Sequence, residues 1–266
     1  MSLKDQVRDT IPDHALRCFS DHFNVIGDVA ILSLPPEMSG YARLIARAVI
    51  SRRHNIRTVL NKTSRINGCN RTAQLEVITG TETVTTHHEY GFAYRLDVGT
   101  VFFDPRLASE RKRVTDQVHP GEHVLVPFCG VGPFVIPAAA HGAEITAVEQ
   151  SREACHWLAE NVMLNGVGDR VTMIHGDAFD ASVLSGHPYD RAIIPTPYGM
   201  DTIFDHIAAG VKPGGMLHFY TFKNHDQASA LAEQFECKGY EVVVLRRCGN
   251  VAPGVSRWVF DVIKCF

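Results

Sequence analysis

No apolar run in this 266-residue chain approaches the roughly 20 residues that cross a bilayer, and its polar N-terminus has no signal-peptide core. Both absences predict a cytoplasmic protein with no membrane partner. Cys-x-x-Cys is also missing: the seven cysteines (18, 69, 129, 155, 237, 248 and 265) are scattered and odd in number. Such spacing indicates neither a disulfide framework nor a zinc site, so reduced thiols and no metal are expected. Repeats and low-complexity tracts are absent. Acidic residues are missing from one long stretch. Between Glu37 and Glu76 the chain carries Arg43, Arg47, Arg52, Arg53, Arg57, Lys62, Arg65 and Arg71 and no carboxylate, although the net charge is −3. A one-signed segment of this size can contact phosphates and steer a polyanion, which favours nucleic acid over a merely solvated face.

The length allows one small and one large domain, read here as residues 1–97 and 98–266. Residues 1–20 form a polar helical lead-in. Val25–Leu34 is a strand broken by Gly27-Asp28. Tyr41, Leu44, Ile45, Ala48 and Val49 recur at helical spacing from Glu37 to about His54. Short strands follow at 57–61, 75–80, 82–88 and 92–97, the last two meeting at a Tyr90-Gly91 turn. Beyond a helix at 106–118, strands and helices alternate, which predicts a doubly wound, mostly parallel α/β sheet closed by a terminal antiparallel hairpin.

The second domain is organised around Val124-Leu-Val-Pro-Phe-Cys-Gly-Val-Gly-Pro-Phe134, a buried strand, a small-residue turn and the start of a helix at Val135. Such a turn lets backbone approach a ligand closely, and the helix end favours negative charge. The next strand ends on Glu149, 21 residues past Phe128, where an acid can take both hydroxyls of a ribose. Asp177, in His175-Gly-Asp-Ala-Phe-Asp180, could accept from an adenine amino group. Gly130, Gly132, Glu149 and Asp177 therefore outline an adenosine subsite. Val135 stands where a dinucleotide fingerprint has its third glycine, so the spacing suits S-adenosyl-L-methionine better.

Three motifs carry a family resemblance: Phe128-Cys-Gly-Val-Gly-Pro-Phe134, Phe103-Asp-Pro-Arg-Leu-Ala-Ser-Glu-Arg-Lys-Arg113 and Gly214-Gly-Met-Leu-His-Phe-Tyr-Thr221. In order, from about Phe23 onward, the chain resembles the archaeal and eukaryotic tRNA (guanine-37-N1) methyltransferases. The related wybutosine-forming aminocarboxypropyl transferases share most of these motifs, whereas Gly-Pro-Phe and Arg106 look more like the methyltransferase branch. The resemblance implies a class I, Rossmann-like methyltransferase fold behind a small N-terminal α/β domain, with tRNA as partner and a monomeric enzyme. The family's separate tRNA-docking domain is expected to be absent. Implied catalytic residues are Glu110 as general base, Arg71 as the cation holding substrate and oxyanion, and Pro197. The implied cofactor set is Phe128, Gly130, Gly132, Phe134, Glu149, Gln150, Asp177, Ala178 and Pro195, and the substrate set is Arg106, Arg113 and Tyr198. Without the resemblance, Glu110 reads more simply as a helix-surface partner of Arg106 or Arg113.

Two departures stand out. Val126 replaces the acid that starts the family's cofactor motif. Pro195-Thr196-Pro197 replaces its Asn-x-Pro, whose Asn holds the target base, so Thr196 or Tyr198 must supply that contact. Aminocarboxypropyl transfer, a non-catalytic RNA-binding module and, more weakly, a small-molecule methyltransferase stay open as alternatives.

Overall fold

A computed structural model describes residues 2–63, 74–184 and 188–266. The chain divides into two compact units, 1–105 and 106–266, eight residues beyond the expected boundary. The reason is local. Val98 N–H donates to Thr83 O at 3.1 Å and Val101 N–H to Asp97 O at 3.1 Å, while Phe103 lies 5.7 Å from Tyr94, so residues 98–103 stay with the strand they leave.

In the first unit, α1 (Leu3–Val7) and α2 (Asp13–Cys18) precede β1 (Asn24–Ile26) and β2 (Val29–Leu32). After a 3-10 turn at Pro36–Tyr41 come α3 (Ala42–Arg52), β3 (Thr58–Lys62) and β4 (Leu75–Thr79). β1 to β4 form one sheet in sequence order. The lead-in is less polar in effect than expected: Leu3, Val7, Ile11, Leu16 and Phe19 join Ile45 and Val49 of α3 in one core. Arg43, Arg47 and Arg52 are exposed on α3, whereas Arg57 is engaged by Asp28 through Nε at 2.5 Å. β5 (Val84–Glu89) and β6 (Phe92–Asp97) pair as a hairpin. Its turn has φ of +49° at Tyr90 and +89° at Gly91, two positive values as a type I′ turn requires.

The second unit contains α4 (Ala108–Thr115), β7 (His123–Pro127), α5 (Val135–Ala140), β8 (Glu144–Glu149), α6 (Arg152–Leu164) and β9 (Val171–His175). β10 (Tyr189–Pro195), α7 (Ile203–Ala209), β11 (Val211–Lys223), α8 (His225–Cys237), β12 (Tyr240–Ala252) and β13 (Val255–Lys264) complete it. The seven-stranded sheet has the order β12-β13-β11-β10-β7-β8-β9. β9 through β11 are parallel, while β13 pairs antiparallel with β11 and with β12. This is the expected Rossmann-like α/β sheet with its terminal hairpin. The order reverses at β7, so a crevice opens beyond the carboxyl ends of β7 and β10, where ligands of such sheets bind.

The two faces of this sheet are built differently. Leu217, Phe219, Phe260, Val262, Ala192 and Ile194 point to one face and pack beneath Phe204, Ile207 and Phe235 of α7 and α8. The alternate residues of the same strands are charged. His218 Nδ1 lies 2.7 Å from Asp261 Oδ1 and its Nε2 lies 2.8 Å from Arg191 NH1. Arg191 also donates to Glu122, from Nε at 2.7 Å, and to Gln117 O at 2.7 Å. Arg113 of α4 donates to Asp261 at 2.5 and 3.1 Å. A carboxylate only accepts and a guanidinium only donates, so His218 is the neutral tautomer protonated at Nδ1. Burial pushes its pKa below 6.5, and the Arg191 and Arg113 charges add to that against the opposing pull of Asp261. Burial alone would raise Asp261, but the bonds from His218 and Arg113 outweigh it and hold the carboxyl well below its ordinary value.

Both shifts remove stability in acid. Below pH 6.5 the unfolded chain binds a proton on His218 that the folded site refuses, and below about 4 the same holds for Asp261. Urea midpoints should therefore fall between pH 7.5 and 5.5, and the fall should shrink in His218→Asn. An unaltered pH dependence in that variant would refute the assignment. Asp261→Asn removes the charge that compensates buried Arg113 and the acceptor of His218 Nδ1–H, and should cost roughly 3–5 kcal/mol at neutral pH.

Candidate active site

β7 leads directly into a strained turn. Phe128 has φ of +53°, a left-handed value that costs a bulky residue about 1–3 kcal/mol and marks functional backbone. Gly130 (+56°) and Gly132 (+94°) follow. A Cβ at Gly130 would meet nothing within 4 Å, whereas one at Gly132 would lie 2.6 Å from Leu158 Cδ1. The first glycine thus faces open space and the second is needed for packing. Asn161, wholly buried on α6, donates from Nδ2 to Val131 O at 3.1 Å and pins the turn from behind.

The neighbouring strand supplies an acid. Glu149 accepts from Gly130 N–H through Oε2 and from Ser151 N–H through Oε1, both at 2.8 Å. Each carboxylate oxygen has a further lone pair to offer. Ser151 also caps α6, its Oγ accepting from Ala154 N–H at 3.3 Å. The thiols here are quiet: burial first and then Glu149 push Cys155 up to about 11 and Cys129 well above its usual value. Beyond β9, Gly176 N–H donates to Glu149 O at 3.0 Å and His175 Nε2 lies 3.1 Å from Gln150 O. Asp177 is exposed, with Oδ1 accepting from Phe179 N–H at 3.0 Å and Oδ2 without a hydrogen bond among the described residues; Ala178 is buried against the core.

A second group lies between α4 and β11. Glu110 has a side-chain exposure of only 2%. Its Oε1 accepts from Arg113 Nε at 2.8 Å, from Arg113 NH2 at 2.6 Å and from the Tyr220 hydroxyl at 3.1 Å. Its Oε2 is held by Arg246 of β12, a residue still half exposed. Arg113 is indeed the i+3 partner, but of a buried carboxylate and not of a helix-surface one. Burial opposes the charge on Arg113, yet the bonds to Asp261 and Glu110 hold its pKa far above the usual range. Burial, and then Glu110, keep the Tyr220 phenol protonated. Phe134 stacks on Tyr220 at 5.4 Å, which joins the glycine turn to this carboxylate.

At the end of β10, Pro195 is paired in register with Tyr220. Thr196 is buried, its Oγ1 donating back to Ile194 O at 3.3 Å. Tyr198 is 70% exposed and packs on Phe222 at 5.6 Å.

A family described as the TRM5/TYW2 methyltransferase domain matches residues 85–245. The chain belongs to that family. A second family description, the TYW2 N-terminal domain, matches residues 3–83. The tRNA (guanine(37)-N(1))-methyltransferase Trm5b of Pyrococcus abyssi is 34% identical over 91% of this chain and 74% of its own. Its crystal structure superposes with a TM-score of 0.85, covering 98% of this chain and 81% of that one. A tRNA(Phe) (4-demethylwyosine(37)-C(7)) aminocarboxypropyltransferase of Pyrococcus horikoshii is 33% identical over 97% of this chain and 96% of its own. The structure of an archaeal Trm5 with tRNALeu gives a TM-score of 0.88 at 26% identity, covering 99% of this chain and 78% of that one. The chain spans only 33% of the longer guanine-37 methyltransferase of Danio rerio.

Against this family frame the expected residues fall into three places. Phe128, Gly130, Gly132, Glu149, Gln150, Asp177 and Ala178 gather at the ends of β7, β8 and β9. Glu110, Arg113 and Phe134 meet around Tyr220, with Pro195 beside it. Arg106 is exposed in the 3-10 turn Pro105–Leu107 that precedes α4, and Pro197 and Tyr198 form the turn after β10. Arg71 lies outside the described residues. Arg113, expected at the substrate, is turned inward onto two carboxylates. Sequence reasoning missed His218, Asp261, Arg191 and Arg246. Asp261 had a signal, as a lone acid in the apolar run Val259–Ile263. Val126 is wholly buried beside Ala147. Among the described residues no cluster of His, Cys, Asp or Glu could hold a metal ion, and no helix is long and apolar enough to cross a membrane.

The two glycines separate packing from access. Gly132→Ala should lower stability by roughly 2 kcal/mol or more through its φ and the Leu158 contact. Gly130→Ala should cost about 1–2 kcal/mol for its left-handed backbone alone. Equal losses in urea titrations would contradict this division.

Proposed function

We propose that the chain uses S-adenosylmethionine to modify tRNA at position 37, transferring a methyl group to guanine N1. One observation carries the reading: Phe134 and Tyr220 join the glycine turn to a buried carboxylate, Glu110, in a chain similar over both units to Trm5b. The turn fits the cofactor. Gly130 leaves open space, Glu149 has lone pairs for ribose hydroxyls while holding the turn in shape, and the free Asp177 oxygen suits an adenine amino group. When bound, S-adenosylmethionine supplies an electrophilic methyl carbon on its sulfonium.

The chain's own residues handle the proton. Guanine N1 carries one at neutral pH, and it must leave as N1 becomes a nucleophile. Glu110 takes it at Oε2, because Oε1 is filled by Arg113 and Tyr220. Arg246, half exposed, must swing off Oε2 as substrate enters. Arg113 therefore becomes a positioning residue. Arg71 keeps its assignment to the developing charge on O6, and Arg106 its assignment to the substrate. The exposed arginines of α3 supply phosphate contacts. The electrophile is already activated and the base is a carboxylate, so we assign no metal; a cytoplasmic, monomeric enzyme is part of the same reading.

A second reading is aminocarboxypropyl transfer, which needs another carbon of the same cofactor to face the substrate. The match of residues 3–83 to the TYW2 N-terminal domain and the similarity over 97% of this chain to the Pyrococcus horikoshii enzyme favour it.

Two measurements decide. In calorimetry, Glu149→Ala should bind S-adenosylmethionine roughly ten- to a hundredfold more weakly, as loss of a hydrogen bond to a charged group costs about 1.5–3 kcal/mol; equal affinities would remove Glu149 from the site. Mass spectrometry of nucleosides from treated tRNA should show one added methyl on guanosine, whereas an added aminocarboxypropyl group would establish the second reading. In the same assay, well below the melting transitions, Glu110→Gln should slow single turnover by about a hundredfold or more. Tyr220→Phe keeps the acceptor and should lose less than about tenfold. Similar losses in both would make Glu110 structural.

A further inference from the structure

The candidate active site lies on one row of residues across four strands. Pro195 of β10 pairs with Tyr220 of β11, Tyr220 with Val259 of β13, and Val259 with Arg246 of β12. Directly paired residues share a face of the sheet, so Arg246 stands on the face of Tyr220 and not on the one beneath α7 and α8. Glu110 of α4 spans that row: Oε1 accepts from the Tyr220 hydroxyl and Oε2 from Arg246. The arginines on this face differ in how far they are tied down. Arg113 is shared between Glu110 and both oxygens of Asp261. Arg191 is held by Glu122, Gln117 and His218. Arg257 is buried and lies over the Phe222 ring at 5.3 Å. Arg246 has a side chain 48% exposed and, among the described residues, a single acceptor, Glu110 Oε2.

That difference decides what happens when Glu110 works as a base. Moving the guanine proton breaks the N1–H bond and forms O–H at Oε2. The electron pair left behind spreads over N1 and O6, so the negative charge passes from the carboxylate to the base. Arg113 keeps Asp261 as its counter-charge, whereas Arg246 loses its own. O6 is bonded to the carbon next to N1, so a base whose N1–H points at Oε2 brings O6 beside that oxygen. A guanidinium on a flexible stem that reaches one acceptor also reaches its neighbour, and it can only donate. The pair on N1 is then used in the bond to the methyl carbon, as the carbon–sulfur bond breaks and its electrons stay on sulfur. The base ends neutral, and Oε2 keeps its proton until water takes it and Arg246 returns.

We propose that Arg246 leaves Glu110 Oε2 for O6 of the target guanine, following the charge that the proton transfer displaces. It adds a cation to the one assigned to Arg71 and reads the base edge for which Pro195 has no donor. The inference rests on the guanine reading above. Arg246→Met keeps the stem and removes both charge and donors. At saturating tRNA and S-adenosylmethionine it should slow single turnover by about a hundredfold, the loss expected for an oxyanion donor. Arg246→Lys restores a cation and should recover at least about tenfold of that. Melting temperature, affinity for S-adenosylmethionine and the salt dependence of tRNA binding should scarcely move in either variant. An Arg246→Met rate equal to wild type or faster would reduce Arg246 to a cover on the carboxylate and overturn the proposal. A loss confined to tRNA affinity, with the slope of log affinity against log salt lower by about one, would mark a phosphate contact and overturn it as well. Equal losses in the two variants would do the same, because charge would then be irrelevant. Glu110→Gln, measured alongside, separates the two levels. If it is slow while Arg246→Met is not, only the proposal fails; if it matches wild type, the guanine mechanism fails and the proposal with it.

Discussion

One guanidinium ties the second unit together. Arg113 is shared between Glu110 on its own helix and Asp261 on β13, and through Asp261 it reaches His218, Arg191 and Glu122. Every group in that chain is buried or half-buried, so each charge depends on its neighbour for compensation. The arrangement also fixes register. A one-residue slip of β13 would turn Asp261 into the apolar face where Phe260 and Val262 pack, and would bring a hydrophobic side chain among the arginines. A purely apolar pair of faces would tolerate that slip far better. Because Tyr220 hangs from the same carboxylate and carries Phe134, the position of the glycine turn is coupled to this lock.

Two glutamates lie near the turn, and their surroundings give them different work. Glu149 is held by two backbone N–H groups, which orient it without neutralising its charge and leave acceptor capacity on both oxygens. Glu110 is held by two guanidiniums and a phenol, out of water. The first arrangement suits steady recognition of hydroxyl donors. The second suits a base whose charge is covered until a substrate displaces Arg246, which among its described partners is the one with a half-exposed side chain. Water is kept from the carboxylate in the meantime.

Much of the architecture was legible in the sequence because period and punctuation were strong there. The strand Glu144–Glu149, the helix beginning at Val135, the Ser151 cap and the Tyr90-Gly91 turn all fall where local rules place them. The start of α3 did not, since Pro36 and Gly40 favour a tighter 3-10 turn before the regular helix. Nor did residues 3–19 read as core, because their apolar residues are spread over two short helices and meet only on folding. Of the site, the glycine turn and Glu149 were visible as spacing. The setting of Glu110 was not: Arg113 is near in sequence, but Tyr220 and Arg246 are 110 and 136 residues away, and no pattern along the chain connects them. Alternation did hold a trace, since polar residues in core positions, such as Asn161 beside Leu158 and Val162, announce a buried bond without naming its partner.

The turn after β10 bears on how the target is chosen. Thr196 cannot stand in for the family's asparagine, because it is buried and its hydroxyl is spent on Ile194 O. Proline at 195 offers no donor. What the turn presents instead is the Tyr198 ring, exposed and supported by Phe222. A ring recognises the face of a base, which every base has, whereas an amide reads its edge. If the turn meets the target base as proposed, edge discrimination there is weakened, and the choice of nucleotide shifts to groups that act on the chemistry or on the flanking RNA. In the reading proposed above, Glu110 makes one such choice, because an acceptor at the reacting nitrogen favours a base that carries a proton there. Contacts beyond the turn make another, by fixing which nucleotide of a loop can reach the carboxylate at all.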